Sequence, residues 1–282
     1  MTGMKVSIAV PSFNHRLYIE DCLSSILMQD YKNYEVLIAD GGSSDGSIEI
    51  IMEYCNRDNR FKLVSTSDRG QSDGLNKAFL CADGKIYCFL NSDDCYITKD
   101  AITKAVESFQ NYPSVDIISF GGYYLDEMGR IIKPVRMRYH PLDSIALMRY
   151  RTAVLQPATF WLNKVSKSIP LDTESHYAFD SIFFYQAYLK YSWLELSEPV
   201  AGHRLHGGNK SLQISADRIN DLVRFEVIKS GPFSYRVAYL KIISNTVWVL
   251  SKVPLLGNSL CKGIYLLVNS ISFISVYRIP GI

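Results

Sequence analysis

The stretch Val6–Ser47, VSIAVPSFNHRLYIEDCLSSILMQDYKNYEVLIADGGSSDGS, decides the fold. Val6–Val10 is a short apolar run before Pro11 and reads as a buried strand. Within Tyr18–Gln29, the residues Ile19, Cys22, Leu23, Ile26 and Leu27 recur at helical spacing. Glu35–Ala39 is a second apolar run, stopped by Gly41-Gly42. Continuous apolar strands alternating with amphipathic helices are the signature of a parallel sheet covered on both faces. Outward from this stretch the alternation continues. Residues 47–55 read as a helix capped by Ser44 or Asp45, Phe61–Ser65 as a strand, Gly74–Ala82 as a helix and Ile86–Leu90 as a strand. The expected class is α/β, a mostly parallel sheet flanked by helices, with a helical amphipathic appendage at the C-terminus. Ligands of such sheets bind beyond the carboxyl ends of the strands.

Composition bounds the rest. A chain of 282 residues, 48% hydrophobic and 21% charged, is too apolar for intrinsic disorder and long enough for a core that needs no staples. It fits one large domain with an appendage or two small ones. Thirty basic against 28 acidic residues leave a net charge of +2, which argues against a nucleic-acid partner. The six cysteines form no CxxC pair, so free thiols in a reducing compartment are expected. Val6–Val10 is too short for a secretory signal core. There is no GxGxxG after the first strand and no GxxxxGK[ST], so neither a dinucleotide cradle nor a P-loop is present.

The predicted strand ends carry Pro11-Ser12-Phe13-Asn14, Asp40 through Ser47, a loop containing Asp68 and Asp73, and Asn91-Ser92-Asp93-Asp94. Asp and Asn also cap helices and turns after strands. Adjacent carboxylates after a buried strand, however, repel unless a cation offsets them. A hard divalent ion, Mg2+ or Mn2+, does this and keeps positions open for phosphate oxygens. That combination suits a nucleotide-sugar site.

These residues resemble the inverting family 2 glycosyltransferases of the GT-A fold. The opening stretch, SDGLNKAF (Ser72–Phe79) and NSDD (Asn91–Asp94) occur in the family's order. QPATFW (Gln156–Trp161), LDTESHYAFD (Leu171–Asp180) and HRLHGGNKS (His203–Ser211) resemble a bacterial subgroup acting on surface polysaccharides. The resemblance covers about residues 4–212. It implies that Pro11, Ser12 and Asn14 line the nucleotide pocket and that Asp40 accepts from the imide N–H of uracil or thymine. Asp73 is expected near the ribose, diphosphate or sugar, with Lys77 offsetting phosphate charge. Asp94 is the first choice as metal ligand. Asn91 and Asp93 fill the spacing of the family's acidic motif, with Asp93 on the ribose or on the metal through water. His206 is placed near the metal and diphosphate, ahead of His203. Asp180 matches the position of the base, with Glu174 and Asp172 as fallbacks, although an Asp at a helix start is also a natural cap. Gln156, Thr159 and Trp161 are expected on the acceptor side, Trp161 stacking on a sugar or belonging to the core.

The chain is expected to divide into a nucleotide-sugar half (1–100), an acceptor and catalytic half (101–226) and a tail (227–282), the tail being set off by a composition shift whose boundary lies near Gly231-Pro232. No Asp or Glu follows Glu226, whereas Lys229, Arg236, Lys241, Lys252, Lys262 and Arg278 do. No apolar block in this tail reaches the roughly 18–20 residues of a spanning helix. Apolar blocks with Lys, Trp248 and Tyr265 suit helices lying in an anionic membrane interface. The alternative is a helical cap on protein. The implied activity is metal-dependent inverting transfer from a UDP- or dTDP-sugar to a polyprenyl-diphosphate-linked glycan, with the enzyme peripheral on the inner face of the plasma membrane. Competing readings are a sugar-1-phosphate nucleotidyltransferase, whose glycine-rich, arginine-containing loop is missing from PSFNHR, and a non-catalytic scaffold.

Overall fold

The structure, a computed structural model, describes residues 3–135, 154–209 and 216–251. The described residues fall into two compact units, one running through Gly207 and the other beginning at Gly208. In the first, β1 (Val6–Ser12), β2 (Tyr34–Asp40), β3 (Phe61–Ser65) and β4 (Ile86–Phe89) alternate with α1 (Ile19–Leu27), α2 (Ser47–Arg57) and α3 (Gln71–Cys81). After β4 come β5 (Cys95–Tyr96), α4 (Ala101–Asn111), β6 (Ile117–Leu125), β7 (Ile131–Pro134), a 3-10 turn (Gln156–Ala158), β8 (Thr159–Leu162), α5 (Lys164–Ser168), α6 (Phe179–Lys190) and β9 (Trp193–Arg204).

The strands form one sheet in the order β3-β2-β1-β4-β8-β6-β9-β5, with β7 paired to β6. β3, β2, β1 and β4 are parallel, as their apolar runs predict. The second half is mixed: β8 runs antiparallel to β4 and β6, β6 and β9 are parallel, and β5 is antiparallel to β9. Every residue of β1 and β2 is buried, so both faces of the sheet centre are covered. α1 buries Ile19, Cys22, Leu23 and Ile26, one stripe at helical spacing, and places Glu20 and Asp21 in its first turn, where negative charge favours the helix dipole. Burying each large aliphatic side chain contributes roughly 1.5–3 kcal/mol. β6 and β9 approach so closely that a Cβ on Gly122 would lie 2.1 Å from the carbonyl oxygen of Ala201.

Register aligns the strand ends. Ser12 pairs with Asp40 across β1 and β2, and Ala9 pairs with Phe89 across β1 and β4. Continued past β4, that register sets Asn91–Asp94 level with the end of β1. β9 pairs with β5 just beyond this loop, Gly202 opposite Cys95, and so carries residues 203–206 to the same edge.

In the second unit, α7 (Ala216–Ser230) and α8 (Tyr235–Ser251) pack together over Ile219, Leu222, Phe225, Val237, Leu240 and Ile243. The loss of acidic residues after Glu226 therefore begins inside α7. The turn near Gly231-Pro232 lies between the two helices. The apolar blocks beyond Ser251, with Tyr265, and residues Lys210 and Ser211 lie outside the described residues.

Candidate active site at the carboxyl edge of the sheet

The loops after β1 and β2 are laced together. Asn14 takes a left-handed backbone (φ 53°), a conformation Asn tolerates better than most residues. Its amide donates to Ser43 Oγ (2.8 Å), and its Oδ1 accepts from the Ser44 amide (2.9 Å). The amides of His15 and Arg16 donate to Ser47 Oγ (3.1 Å) and Asp45 Oδ2 (2.9 Å). Asp45 thus joins two loops, while Gly46 (φ 96°) takes the cap position of α2. Asp40 is fully buried and accepts from the Gly42 amide (2.9 Å), the Ser43 amide (2.6 Å) and Ser43 Oγ (2.7 Å). Its carboxylate braces its own turn. Ser12 beside it has a buried Oγ without a hydrogen-bond partner.

The loop after β4 is a hub. Asn91 accepts from Gln71 Nε2 (2.7 Å) and donates to Gln156 Oε1 (3.1 Å) and Asp94 Oδ2 (3.3 Å). Gln156 donates in turn to the Phe89 carbonyl. Asp94 is completely buried, accepts from the Arg204 amide (2.9 Å) and lies 3.1 Å from His203 Nδ1. Burial, with the charge of Asp93, pushes the Asp94 carboxyl up against the pull of His203. Burial opposes charge on His203, yet Asp94, helped by Asp93 and Asp180, raises it to about 9. Both directions mean that the Asp94–His203 pair holds a proton tightly. Asp94 is therefore tied to protein donors, and the ligand role expected first of it does not match its surroundings.

Asp93 is the carboxylate with imidazoles around it. Its Oδ2 lies 2.9 Å from His206 Nε2. Burial acts to raise its carboxyl, but the hydrogen bond with His206 and the charges of His15, His203 and His206 outweigh this and hold it below the ordinary range. His15, Asp93 and His206 offer ligand atoms that all lie within 4.8 Å of one another. One carboxylate and two imidazoles with ligand atoms this close together are a donor set that fits a divalent cation.

Arg204 holds this loop in place. Its buried guanidinium donates to the carbonyls of Asp93 (2.9 Å) and Glu127 (3.0 Å) and to Asp21 Oδ2 (3.0 Å), and it lies over the Tyr18 ring. Sequence reasoning passed over Arg204 although it sits between the two flagged histidines. It also passed over His15, within the opening motif, and over Gln71.

Asp73 and Lys77 form a separate group on α3. Asp73 accepts from the Arg69 amide (3.1 Å) and pairs with Lys77 Nζ (3.0 Å), and these bonds, the Arg69 amide first, lower its carboxyl. Lys77 also donates to the Ser67 carbonyl (2.8 Å). Asp180 stands in the first turn of α6, its Oδ1 accepting from the Ser181 amide (2.6 Å). Burial pushes its carboxyl up, opposed by these local bonds and by the charge of His203. Of the fallback bases, Glu174 is exposed and Asp172 accepts from the Glu174 amide (2.9 Å). Thr159 and Trp161 belong to the core, not to an acceptor surface. Trp161 is fully buried among Phe79, Phe89, Phe183 and Phe184, with its Nε1 donating to Ser166 Oγ (2.7 Å). Thr159 Oγ1 donates to the Leu155 carbonyl (2.8 Å). Gln156 is buried as well, but reaches the site through Asn91.

Comparison with known proteins agrees with this geometry. The sequence profile of glycosyl transferase family 2 matches residues 7–170. TuaG of Bacillus subtilis (strain 168), provisionally named a teichuronic acid biosynthesis glycosyltransferase, is 37% identical over 128 residues, 44% of this chain and 50% of TuaG. The Escherichia coli UDP-Glc:alpha-D-GlcNAc-diphosphoundecaprenol beta-1,3-glucosyltransferase WfgD is 30% identical over 147 residues, 50% of this chain and 56% of WfgD. The matches thus span about half the length of these relatives. Among solved structures, S. aureus TarS 1-349 in complex with UDP-GlcNAc superposes with a TM-score of 0.65 at 23% identity, covering 84% of this chain and 69% of that one. That likeness bears out the expected GT-A fold.

The Arg204 bonds set a stability expectation. Without the guanidinium, the carbonyls of Asp93 and Glu127 lose their donor at about 1–3 kcal/mol each, so Arg204→Met should lower the unfolding free energy by about 2–6 kcal/mol. Arg204→Lys should restore only part, because one ammonium cannot span three acceptors. Urea denaturation checks this, and a Met variant within about 0.5 kcal/mol of the original contradicts it.

Proposed function

We propose that this chain, which belongs to glycosyl transferase family 2, moves a sugar from a UDP- or dTDP-sugar to a hydroxyl of a lipid-linked glycan, with inversion, during assembly of a cell-surface polysaccharide. One observation carries the reading: His15, Asp93 and His206 bring ligand atoms within 4.8 Å of one another at the carboxyl edge of the sheet, and Asp180 supplies a further carboxyl at the start of α6. Asp93 is kept ionised beside His15 and His206, and Asp180 is pushed toward higher proton affinity. A single in-line displacement needs those two things, charge against the leaving diphosphate and one base for the acceptor.

Asp93 and His206 would hold a divalent ion, Mn2+ or Mg2+, which supplies positive charge opposite the diphosphate. Arg204 fixes the backbone of Asp93, and Asn91, clamped by Gln71 and Gln156, fixes the start of the same loop. Asp180 takes the proton of the acceptor hydroxyl at a carboxylate oxygen. The charge of His203 acts on both Asp94 and Asp180 and opposes the upward push of burial on the Asp180 carboxyl. A nucleophilic carboxylate is not required, since no covalent sugar–protein step occurs.

The donor class is supported by what similar proteins are named for. TarS was crystallised with UDP-GlcNAc, and WfgD is named as using UDP-Glc and a diphosphoundecaprenol-linked acceptor. A Pyrobaculum calidifontis mannosyltransferase of the same fold, in complex with GDP-Man and Mn2+, has a TM-score of 0.60 at 19% identity over 99% of this chain and 82% of its own. The fold alone therefore does not set the base. A lipid-linked acceptor also agrees with α8, where Tyr235, Lys241, Ile242, Trp248 and Val249 are exposed. Among the described residues no helix is long and apolar enough to cross a membrane. An exposed aromatic and basic helix face suits a peripheral site on an anionic leaflet.

The base assignment is tested by Asp180→Asn, which keeps the size of the side chain. Donor binding should change little, and transfer, followed by UDP or dTDP release with lipid-linked acceptor, should fall by ~10²–10⁴-fold. Because the base must be ionised and its proton affinity is raised, the acid limb of kcat should lie above the usual carboxylate range and vanish in the variant. Near-normal transfer by Asp180→Asn would reduce the residue to a helix-start group.

Membrane contact is tested with vesicles. The intact chain should co-sediment with anionic vesicles more than with neutral ones, and less at high salt. The double variant Lys241→Glu, Trp248→Ala should lose most of this binding. Equal sedimentation of both proteins, or none for either, contradicts the assignment.

A further inference from the structure

His15, Asp93 and His206 reach the carboxyl edge of the sheet from three separate segments, after β1, after β4 and after β9. Asp93 Oδ2 and His206 Nε2 are already 2.9 Å apart. Neighbouring ligands on one ion, with bonds of about 2.1–2.2 Å at right angles, stand about 3 Å from each other. The pair thus has the spacing of two cis ligands without rearrangement. His15 completes the triangle, since the ligand atoms of all three residues lie within 4.8 Å of one another.

The surroundings of His15 are those of an oriented ligand. Its Nδ1 lies 2.6 Å from the hydroxyl of Ser92, the residue just before Asp93, which leaves Nε2 for an ion. A metal-binding histidine has this arrangement, with the second ring nitrogen fixed by an outer partner. Tyr18 stands against both imidazoles, edge-on to His15 at 6.3 Å and tilted over His206 at 4.5 Å between ring centroids. The Arg204 guanidinium lies over the same Tyr18 ring and bonds the Asp93 carbonyl. Each of the three donors is therefore braced by a named neighbour.

We propose that His15 is a third protein ligand of the divalent ion and that the resulting set, two imidazoles and one carboxylate, makes the site select Mn2+ over Mg2+. The inference rests on the reading above that a divalent ion binds at Asp93 and His206. Mg2+ favours all-oxygen surroundings and gives up water reluctantly, whereas imidazole suits first-row transition ions. His15, Asp93 and His206 would hold the ion, which would supply positive charge for phosphate oxygens. The loop after β1 then has two tasks: Ser12 and Asn14 shape the strand-end pocket, and His15 sets the identity of the metal.

The test uses the full chain without donor. Mn2+ binding is measured by calorimetry, and pulsed electron paramagnetic resonance of the bound ion counts coupled imidazole nitrogens. The wild-type protein should show two imidazoles, and His15→Ala should show one, with affinity lowered about tenfold or more. His15→Gln, which keeps bulk in the loop, should match His15→Ala, and thermal unfolding of both should confirm that the fold persists. Mg2+ should compete poorly with Mn2+ on the wild-type protein and better on His15→Asp. If the wild-type ion carries a single imidazole and His15→Ala binds Mn2+ unchanged, the ion site stands and His15 is not a ligand. If the wild-type chain binds no Mn2+, with or without UDP, the ion site itself fails and this inference with it.

Discussion

Two carboxylates adjacent in the chain and buried at the end of a strand repel each other, and the site is built around that repulsion. Asp94 is offset by His203 and the Arg204 amide, and Asp93 by His206 and His15, while the Arg204 side chain holds the Asp93 main chain. Every compensating group except His15 comes from the end of β9. The parallel pairing of β6 with β9 and the short β5–β9 contact deliver that segment to the loop. Sheet topology and site electrostatics are in this sense one constraint. If β9 slipped by one residue, His203 and His206 would exchange sides and leave both carboxylates uncompensated.

The division of labour follows from which oxygens remain available. Asp94 spends its lone pairs on the protein and ties the loop after β4 to β9. Asp93, held by its main chain through Arg204, keeps its carboxylate among imidazoles. A backbone fixed by one set of bonds beneath a side chain held by another is preorganised, and preorganised charge costs no rearrangement when a ligand binds. Asp180 lies outside this cluster but within the field of His203, so the Asp180 and Asp94 carboxyls are electrostatically linked through one histidine.

Much of the first half was legible in the sequence, because apolar runs and the spacing of Ile19, Cys22, Leu23 and Ile26 are local signals. The mixed pairing of β8, β6 and β9 was not, since it depends on partners far apart in the chain. The chemistry of Asn91–Asp94 and His206 could be read from residue type, but the choice between Asp93 and Asp94 could not. That choice is made by residues more than a hundred positions away. Trp161 shows the same limit: an aromatic in a motif-like segment carries no mark of the direction it faces, and here it faces four phenylalanines. The turn that Asp40 braces was not legible either, because the bonds that fix it come from the backbone amides of Gly42 and Ser43 and the Ser43 hydroxyl. The acid-free composition after Glu226 was real, but composition does not follow helix packing, and α7 spans the change.

The separate roles of the adjacent carboxylates are the central claim, and isosteric replacement of each tests it most directly. Mn2+-dependent UDP binding should be measured calorimetrically on Asp93→Asn and Asp94→Asn side by side, with thermal unfolding of each. The account predicts that Asp93→Asn loses the Mn2+ dependence while unfolding near the wild-type temperature. Asp94→Asn should keep the dependence but unfold earlier, because His203 and the Arg204 amide lose their charged partner. The reverse result, with Mn2+ dependence lost in Asp94→Asn and kept in Asp93→Asn, would contradict it.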